Sequence, residues 1–347
     1  MINSGNKSNS QNTISDVAKA AGVSISTVSR VINQSAPVSP ELEAKVKSAI
    51  NQLDYRPQIA ARTLAGRKTK TIGLVLAEIG TDFYPLVIAG VEEEAHRNKY
   101  SLLISVTTER SIPDPEEVIP FNLGDHYTDG LLVFPASLSD DELRRKHAKK
   151  FPIILIQRTP PPGLQIPHIK IENKNSARKL VDHLIEVHGY KRIAFLAGIA
   201  EHEDAKLREQ GYLESLAAHN IPFDPRLKTR GNFQKKDSQE AVKHWLDEGL
   251  DFDAIFACDD ISAIGALSAL NQAGLRVPED IAVVGFDDVE IARYLSPPLT
   301  TVAVPIEELG RIAMQQLLSL IQTGSADPVI EISTELVIRR SCGCHPA

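Results

Sequence analysis

The sequence has few cysteines, no long apolar run and none of the common catalytic signatures. No stretch of about 18 apolar residues occurs, so no transmembrane helix and no membrane partner is expected. The opening MINSGNKSNSQN is polar and lacks the apolar centre of a secretory leader. Three cysteines, Cys258, Cys342 and Cys344, cannot build a disulfide framework and fit a reducing, cytoplasmic setting. The terminal C-G-C-H offers at most Cys342, Cys344 and His345 as metal ligands. Three groups crowded at a chain end make a poor tetrahedral site, so no metal or other cofactor is expected. The other histidines are scattered without ligand spacing. G-x-S-x-G, the P-loop, G-x-G-x-x-G and H-E-x-x-H are all missing, which leaves no motif for an enzyme.

What is present is divided unevenly along the chain. The 347 residues are long for one core and suggest two or three domains. The net charge is −7, yet residues 1–70 hold ten basic and four acidic side chains, net +6, and the remaining 277 are net −13. Such asymmetry points to a polyanion partner for one end only.

The basic end reads as short helices. Thr13 and Asp16 make a T-x-x-D capping signal, and Ile14, Val17, Ala18 and Ala21 repeat at helical spacing. Gly22 permits a sharp turn, and Ser24 can cap a second helix. In that helix Val28, Val31 and Ile32 face one way, while Ser26, Ser29, Arg30 and Asn33 form a polar stripe. Ser39-Pro40 opens a third helix whose buried face is Leu42, Val46, Ala49, Ile50 and Leu53. The pattern fits a helix-turn-helix, in which the start of the second helix enters the DNA major groove and an arginine can bond guanine bidentately. A plain three-helix bundle with a solvated stripe has the same periodicity.

The run TISDVAKAAGVSISTVSRVIN, followed by VSPELEAKVKSAINQLDYRPQIAARTLAGRKTKTIGLV, resembles the start of the lac repressor/galactose repressor (LacI/GalR) family of bacterial transcription regulators. The likeness is ungapped from Thr13 to Val75 and looser onward to Cys344. It implies that Ile25, Ser26 and Arg30 read operator bases, and that Ser15, Ser24, Thr27, Ser29 and Asn33 lie among phosphate contacts. The pair Ile25-Ser26 departs from the larger polar pair of the lac repressor, so the operator should differ. The segment after Pro57 resembles the family's hinge helix. There Ala60 and Ala61 would let two helices approach, and Leu64 would wedge between base pairs and bend the duplex. An ordinary linker would also suit its Arg62, Arg67 and Lys68.

From Thr71 the pattern changes. TIGLVLA, SLLISVT, DGLLVFP and PIILIQ are short apolar runs between helical stretches; HIKIE, RIAFLAG, AIFACD and IAVVGFD form a second series. Buried strands alternating with helices indicate two doubly wound parallel-sheet α/β lobes. Ligands of such sheets bind beyond the carboxyl ends of strands. Glu78, Phe83, Tyr84, Gln157, Arg158, Arg208, Phe233, Asp259 and Asp287 stand at or near those ends. Aromatic, arginine and carboxylate groups around a cleft suit a polyhydroxylated ligand. Asp260 and Asp288 can equally well serve to cap the next helices.

The resemblance extends to this part, which looks like the family's effector-binding core with its type I periplasmic binding protein-like fold. It implies effector contact for Arg208, Phe233 and Asp287, and also for Gln157 and Asp259, where relatives often carry Asp and Asn; Phe83 and Tyr84 are effector-binding candidates from their position after the first strand. Expected partners are therefore double-stranded operator DNA, a small sugar-like effector (purine-like corepressors being the second class) and a second copy of the chain. The helix Pro85–Lys99, with Val87, Ile88, Val91 and Ala95, would be partly interfacial. No leucine heptad follows Cys342, which implies a dimer. The expected division is a tail at 1–12, a helix-turn-helix at 13–57, a hinge at 58–70 and a core at 71–347. Within the core an N-lobe would take 71–172 and 305–328, and a C-lobe 173–302 and 329–347, with crossovers near Glu172–Asn173, Val302–Val304 and Asp327–Val329. The alternative is a periplasmic-type solute receptor without a DNA role. The reading favoured is a cytoplasmic, nucleoid-associated repressor.

Overall fold

In a computed structural model, residues 12–33, 36–55, 68–107 and 127–345 are described. The chain divides into two compact units, Met1–Thr69 and Lys70–Ala347. In the first, α1 (Ile14–Ala21), α2 (Ile25–Asn33) and α3 (Pro40–Gln52) surround a small core of Val17, Ala18, Val28, Val46 and Ala49. The capping box forms as the sequence suggests. Thr13 N–H donates to Asp16 Oδ2 at 2.8 Å, and Asp16 N–H donates back to Thr13 Oγ1 at 3.4 Å. Gly22 closes α1 in the left-handed conformation, φ 65°. Ser24 Oγ accepts from Thr27 N–H at 3.1 Å, and Ser39 Oγ accepts from Leu42 N–H, with Pro40 at the first helical position. Ala60, Ala61 and Leu64 lie outside the described residues.

The second unit holds two parallel sheets. The first comprises β1 (Thr71–Leu76), β2 (Ser101–Val106), β3 (Gly130–Val133), β4 (Ile153–Ile156), β5 (His168–Ile171) and β11 (Val329–Ile332), in the order β11-β5-β4-β3-β1-β2. Side chains alternate between its faces. Leu74, Leu132 and Ile154 join the core under α4 (Phe83–Arg97) and α10 (Ile306–Thr323); Val75, Leu131 and Leu155 pack on the side of α5 (Asp140–Ala148), whose Leu143 is fully buried. The second sheet, in the order β7-β6-β8-β9, is built from β6 (Ile193–Ala197), β7 (Lys228–Arg230), β8 (Ala254–Ala257) and β9 (Ala282–Val284). Phe195 and Phe256 face α6 (Asn173–His188) and α7 (Glu203–Ala218), while Leu196 and Ile255 face α8 (Lys235–Asp247) and α9 (Asp260–Gln272). An antiparallel ladder of β10 (Thr301–Ala303) and β12 (Glu335–Val337) lies where the chain passes between lobes.

Three expectations need correction. HIKIE does not begin the second series: β5 pairs in parallel with β4 of the first sheet. The stretch from Val329 is not the start of C-lobe structure, because Val329–Ile332 pairs with His168–Ile171 at the edge of the same sheet. The third crossover therefore falls between Ile332 and Glu335. Finally, Val87, Val91 and Ala95 are buried within the chain's own core against α10, leaving Ile88 partly buried.

The contact between α4 and α10 depends on glycine. A Cβ on Gly90 would stand 1.9 Å from Glu307 O, and one on Gly310 would stand 2.3 Å from Val87 O. Both obstacles are helix backbone, so neither helix can yield without moving the other. Gly90→Ala is expected to destabilise the core by about 1–3 kcal/mol through overpacking. Gly80→Ala, where a Cβ meets nothing within 4 Å, should be close to neutral. Urea unfolding of the two variants checks this, and equal midpoints would refute the close crossing.

Candidate functional site

Two surfaces carry the chemistry, one in each unit. On α2 the polar stripe is real. Ile25, Ser26 and Arg30 are exposed, Ile25 by 50%, while Val28 on the opposite side is fully buried. Ser24 Oγ lies 2.7 Å from Ser26 Oγ and 2.9 Å from Thr27 Oγ1, so three hydroxyls cluster at the helix start. Ser15, Thr27 and Ser29 are half-buried. The backbone of Asn33 completes α2, and its side chain lies outside what is described. A half-exposed isoleucine opening a helix, followed by hydroxyls and one arginine, can touch thymine methyls, phosphates and guanine edges.

In the second unit a cleft is lined by Glu78, Thr81, Phe83, Tyr84, Gln157, His202, Asp204, Arg208, Phe233, Asp259 and Asp287. Every cleft residue expected to touch an effector is among them. They come together because each follows the carboxyl end of a strand or opens the helix after it. Phe83 and Tyr84 start α4 after β1, Gln157 follows β4, Arg208 lies in α7 after β6, Phe233 follows β7, Asp259 follows β8 and Asp287 follows β9. The backbone is strained here: Gln157, Phe233 and Asp287 have φ of 54°, 58° and 107°. Side chains other than glycine take such angles only where the surroundings hold them, commonly at ligand sites. The Phe233 ring rests on Gly198, where a Cβ would come within 2.3 Å of it.

Arg208 is the centre of the cleft. Its Nε donates to Asn173 Oδ1 at 2.8 Å, one terminal nitrogen donates to the Cys258 carbonyl at 2.6 Å, and the other donates to Asp287 Oδ1 at 3.1 Å. Its guanidinium carbon lies 3.8 Å from the centre of the Phe286 ring. Burial works against its charge, but Asp287, Cys258, Asp204 and Asp259 together raise its pKa, so it stays a cation. Burial pushes Asp204 and Asp287 up to about 7 against the pull of Arg208, and burial also raises Asp259. Burial and the Arg208 charge lower His202 to about 4, which keeps its ring neutral at pH 7. His202 Nδ1 is buried and unpaired among the described residues.

Not every residue marked by position takes part. Asp260 turns away: its carboxylate accepts from Val289 N–H at 3.0 Å and from the Thr301 hydroxyl at 2.6 Å. Asp288 pairs with Arg339 at 2.7 Å, and Arg158 pairs with Asp140. Asp259 both lines the cleft and caps α9, accepting from Ser262 N–H at 3.0 Å.

Sequence reasoning missed Asp204 and His202, whose setting E-H-E-D-A-K reads as a solvated helix start although Asp204 is 2% exposed. It also missed a second cluster. Cys342 and Cys344 lie beside His183 and His188, not in a closed group with His345 alone, and His345 is exposed. The signal was hidden because the histidines precede the cysteines by more than 150 residues.

Comparison with known proteins finds matches in each of the two units. Residues 13–58 match the family described as bacterial regulatory proteins, lacI family, and residues 181–342 match a periplasmic binding protein-like domain. The HTH-type transcriptional repressor PurR of Mannheimia succiniciproducens is 36% identical over 335 residues, covering 95% of this chain and 98% of that one. PurR of Haemophilus influenzae Rd is 35% identical over 337 residues with the same coverage. Among solved structures, the lac repressor dimer bound to operator and the anti-inducer ONPF is 28% identical with a TM-score of 0.81. A transcriptional regulator CelR–cellobiose complex is 32% identical with a TM-score of 0.70. Each covers 95% of this chain and 99% of its own. Among the described residues, no helix is long and apolar enough to cross a membrane.

The raised carboxyls make the stability of the core sensitive to pH. A carboxyl whose folded pKa lies near 7 contributes stability that is complete below its unfolded value and is lost as pH rises through 7. Wild type should therefore lose about 2 kcal/mol relative to Asp204→Asn between pH 5 and pH 8. Denaturant titrations at the two pH values measure this, and parallel curves would mean that Asp204 does not titrate in that window.

Proposed function

The chain belongs to the lacI family of bacterial regulatory proteins, as a DNA-binding transcriptional repressor with a ligand-binding domain, and we propose that it binds a palindromic operator as a homodimer under the control of a neutral polyhydroxylated ligand. In this reading two copies of α2 occupy half-sites about 34–36 Å apart. Ile25 meets thymine methyls, Ser26 and Arg30 address base edges, and Ser15, Ser24, Thr27, Ser29 and Asn33 hold phosphates. Ala61 and Leu64 act at the operator centre. The lac repressor neighbour, solved as a dimer on its operator, supports the dimeric arrangement.

The observation that carries the ligand assignment is the balance of charge in the cleft. Asp204, Asp259, Asp287 and Glu78 line it, and its one arginine is already engaged by Asn173, Cys258 and Asp287. That lining accepts hydrogen bonds far more than it donates them, so it favours several hydroxyl donors and opposes a phosphate. Phe83, Tyr84 and Phe233 supply apolar faces against which a sugar ring can lie. Lining residues come from both sheets, so a ligand there changes how the lobes close. Operator affinity would shift by a coupling of about 1–3 kcal/mol.

Two outcomes follow. Arg30→Ala should relax preference at one position of each half-site by about 1–3 kcal/mol while leaving phosphate contacts intact. Binding to a panel of single-base operator variants reads this, and an unchanged preference removes Arg30 from base reading. In calorimetry with sugars, sugar phosphates and nucleobases, a neutral sugar should bind more tightly at pH 8 than at pH 6. Its hydroxyls donate to carboxylates that are ionised only at the higher pH. Asp287→Ala should abolish that binding; a response to nucleobases alone would replace the sugar assignment.

A further inference from the structure

The last two helical turns of α6 and the end of the chain bring four ligating side chains together. His183 Nε2 lies 3.6 Å from Cys342 Sγ and 3.7 Å from Cys344 Sγ, and His188 Nε2 lies 3.4 Å from Cys344 Sγ. All four donor atoms fall within 4.8 Å of one another. A tetrahedral zinc ion with bonds of about 2.3 Å to sulfur and about 2.05 Å to nitrogen requires S···N edges of about 3.6 Å. The three separations sit on that value.

The surroundings hold these groups in place. Gly343 takes φ 107°, and a Cβ there would stand 3.1 Å from His188 Nδ1 and 3.2 Å from the Tyr190 hydroxyl. Only glycine lets the two cysteines turn toward the helix at this distance. The Tyr190 hydroxyl donates to the Cys342 carbonyl at 3.2 Å, and its ring stacks on His188 with centroids 5.3 Å apart. The Thr300 hydroxyl lies 3.1 Å from Cys342 Sγ, as a group supporting a thiolate would. Cys342 is fully buried, which suits a closed structural site with four protein ligands and no open position.

We propose that His183, His188, Cys342 and Cys344 form a Cys2His2 site for a structural zinc ion that fastens the end of the chain to α6. Binding displaces the two thiol protons, and each imidazole contributes Nε2 as a neutral ligand. The ion adds a closed link between α6 and the segment carrying Ser341, whose hydroxyl donates to Val283 O at 2.6 Å on β9. The assignment is independent of DNA or effector binding.

The test uses the full chain, purified under reducing conditions and given zinc alone. Elemental analysis after gel filtration should find about one zinc per chain. Cobalt in its place should show tetrahedral d–d absorption and a thiolate charge-transfer band. Cys344→Ser and His188→Ala should each lose the metal, while His345→Ala keeps it. Zinc should raise the melting temperature of wild type and leave that of Cys344→Ser unchanged. Because the metal-free forms are compared directly, a variant that melts like stripped wild type is folded. The proposal is overturned if reduced wild type retains no zinc, if Cys344→Ser and His188→Ala retain it, or if His345→Ala loses it as they do.

Discussion

Arg208 is a fully enclosed cation whose guanidinium is divided among Asn173, the Cys258 carbonyl and Asp287 and laid over the ring of Phe286. Desolvating such a group costs several kcal/mol, which only near-complete pairing offsets. Its partners come from the start of α6, the end of β8 and the turn after β9, so one side chain holds three segments in register at the mouth of the sheet. Asn173 is also the first residue past a lobe crossover. The cleft is thus built around a charge that the protein's own groups already satisfy.

That arrangement explains which residues could be read in advance. Phe83, Gln157, Asp259 and Asp287 stand just after apolar strand runs, and a doubly wound sheet has one place to put them. Asp204 and His202 carry no such mark, because a buried carboxyl in a polar helix start looks the same in sequence as a solvated one. The sheets were legible where both faces are buried, as in Ile153–Ile156 and Ala254–Ala257. The edge strands Ser101–Val106 and Ala282–Val284 were legible as well, but β7 and β11, at the opposite edges, were not. Lys228–Arg230 contains no apolar residue, so hydropathy does not announce it, and Val329–Ile332, though three of its four residues are apolar, is short and buries only Ile332. The third lobe crossover, placed near Asp327–Val329 on the family resemblance, fell one strand too early.

In the N-terminal unit almost everything is local, and local signals sufficed. The capping box at Thr13, the left-handed Gly22 and the Ser39-Pro40 start each lie within a few residues of the helix they define. What local pattern alone leaves open is purpose. A solvated stripe and a reading face have the same periodicity, and the distinction comes from the match of residues 13–58 to the lacI family. The net +6 of the first 70 residues, against −13 for the rest, assigns the phosphates to that end.

The glycine-seated crossing of α4 on α10 has a mechanical meaning. The first residues of α4 are Phe83 and Tyr84, which form a wall of the cleft, and α10 begins just past Pro305, where the chain has returned from the second sheet. Two rods pressed backbone to backbone act as a single lever with one end under the ligand and the other at the lobe joint. A displacement of the aromatic wall would be passed toward that joint with little cushioning at Gly90 and Gly310, where helix backbone meets helix backbone.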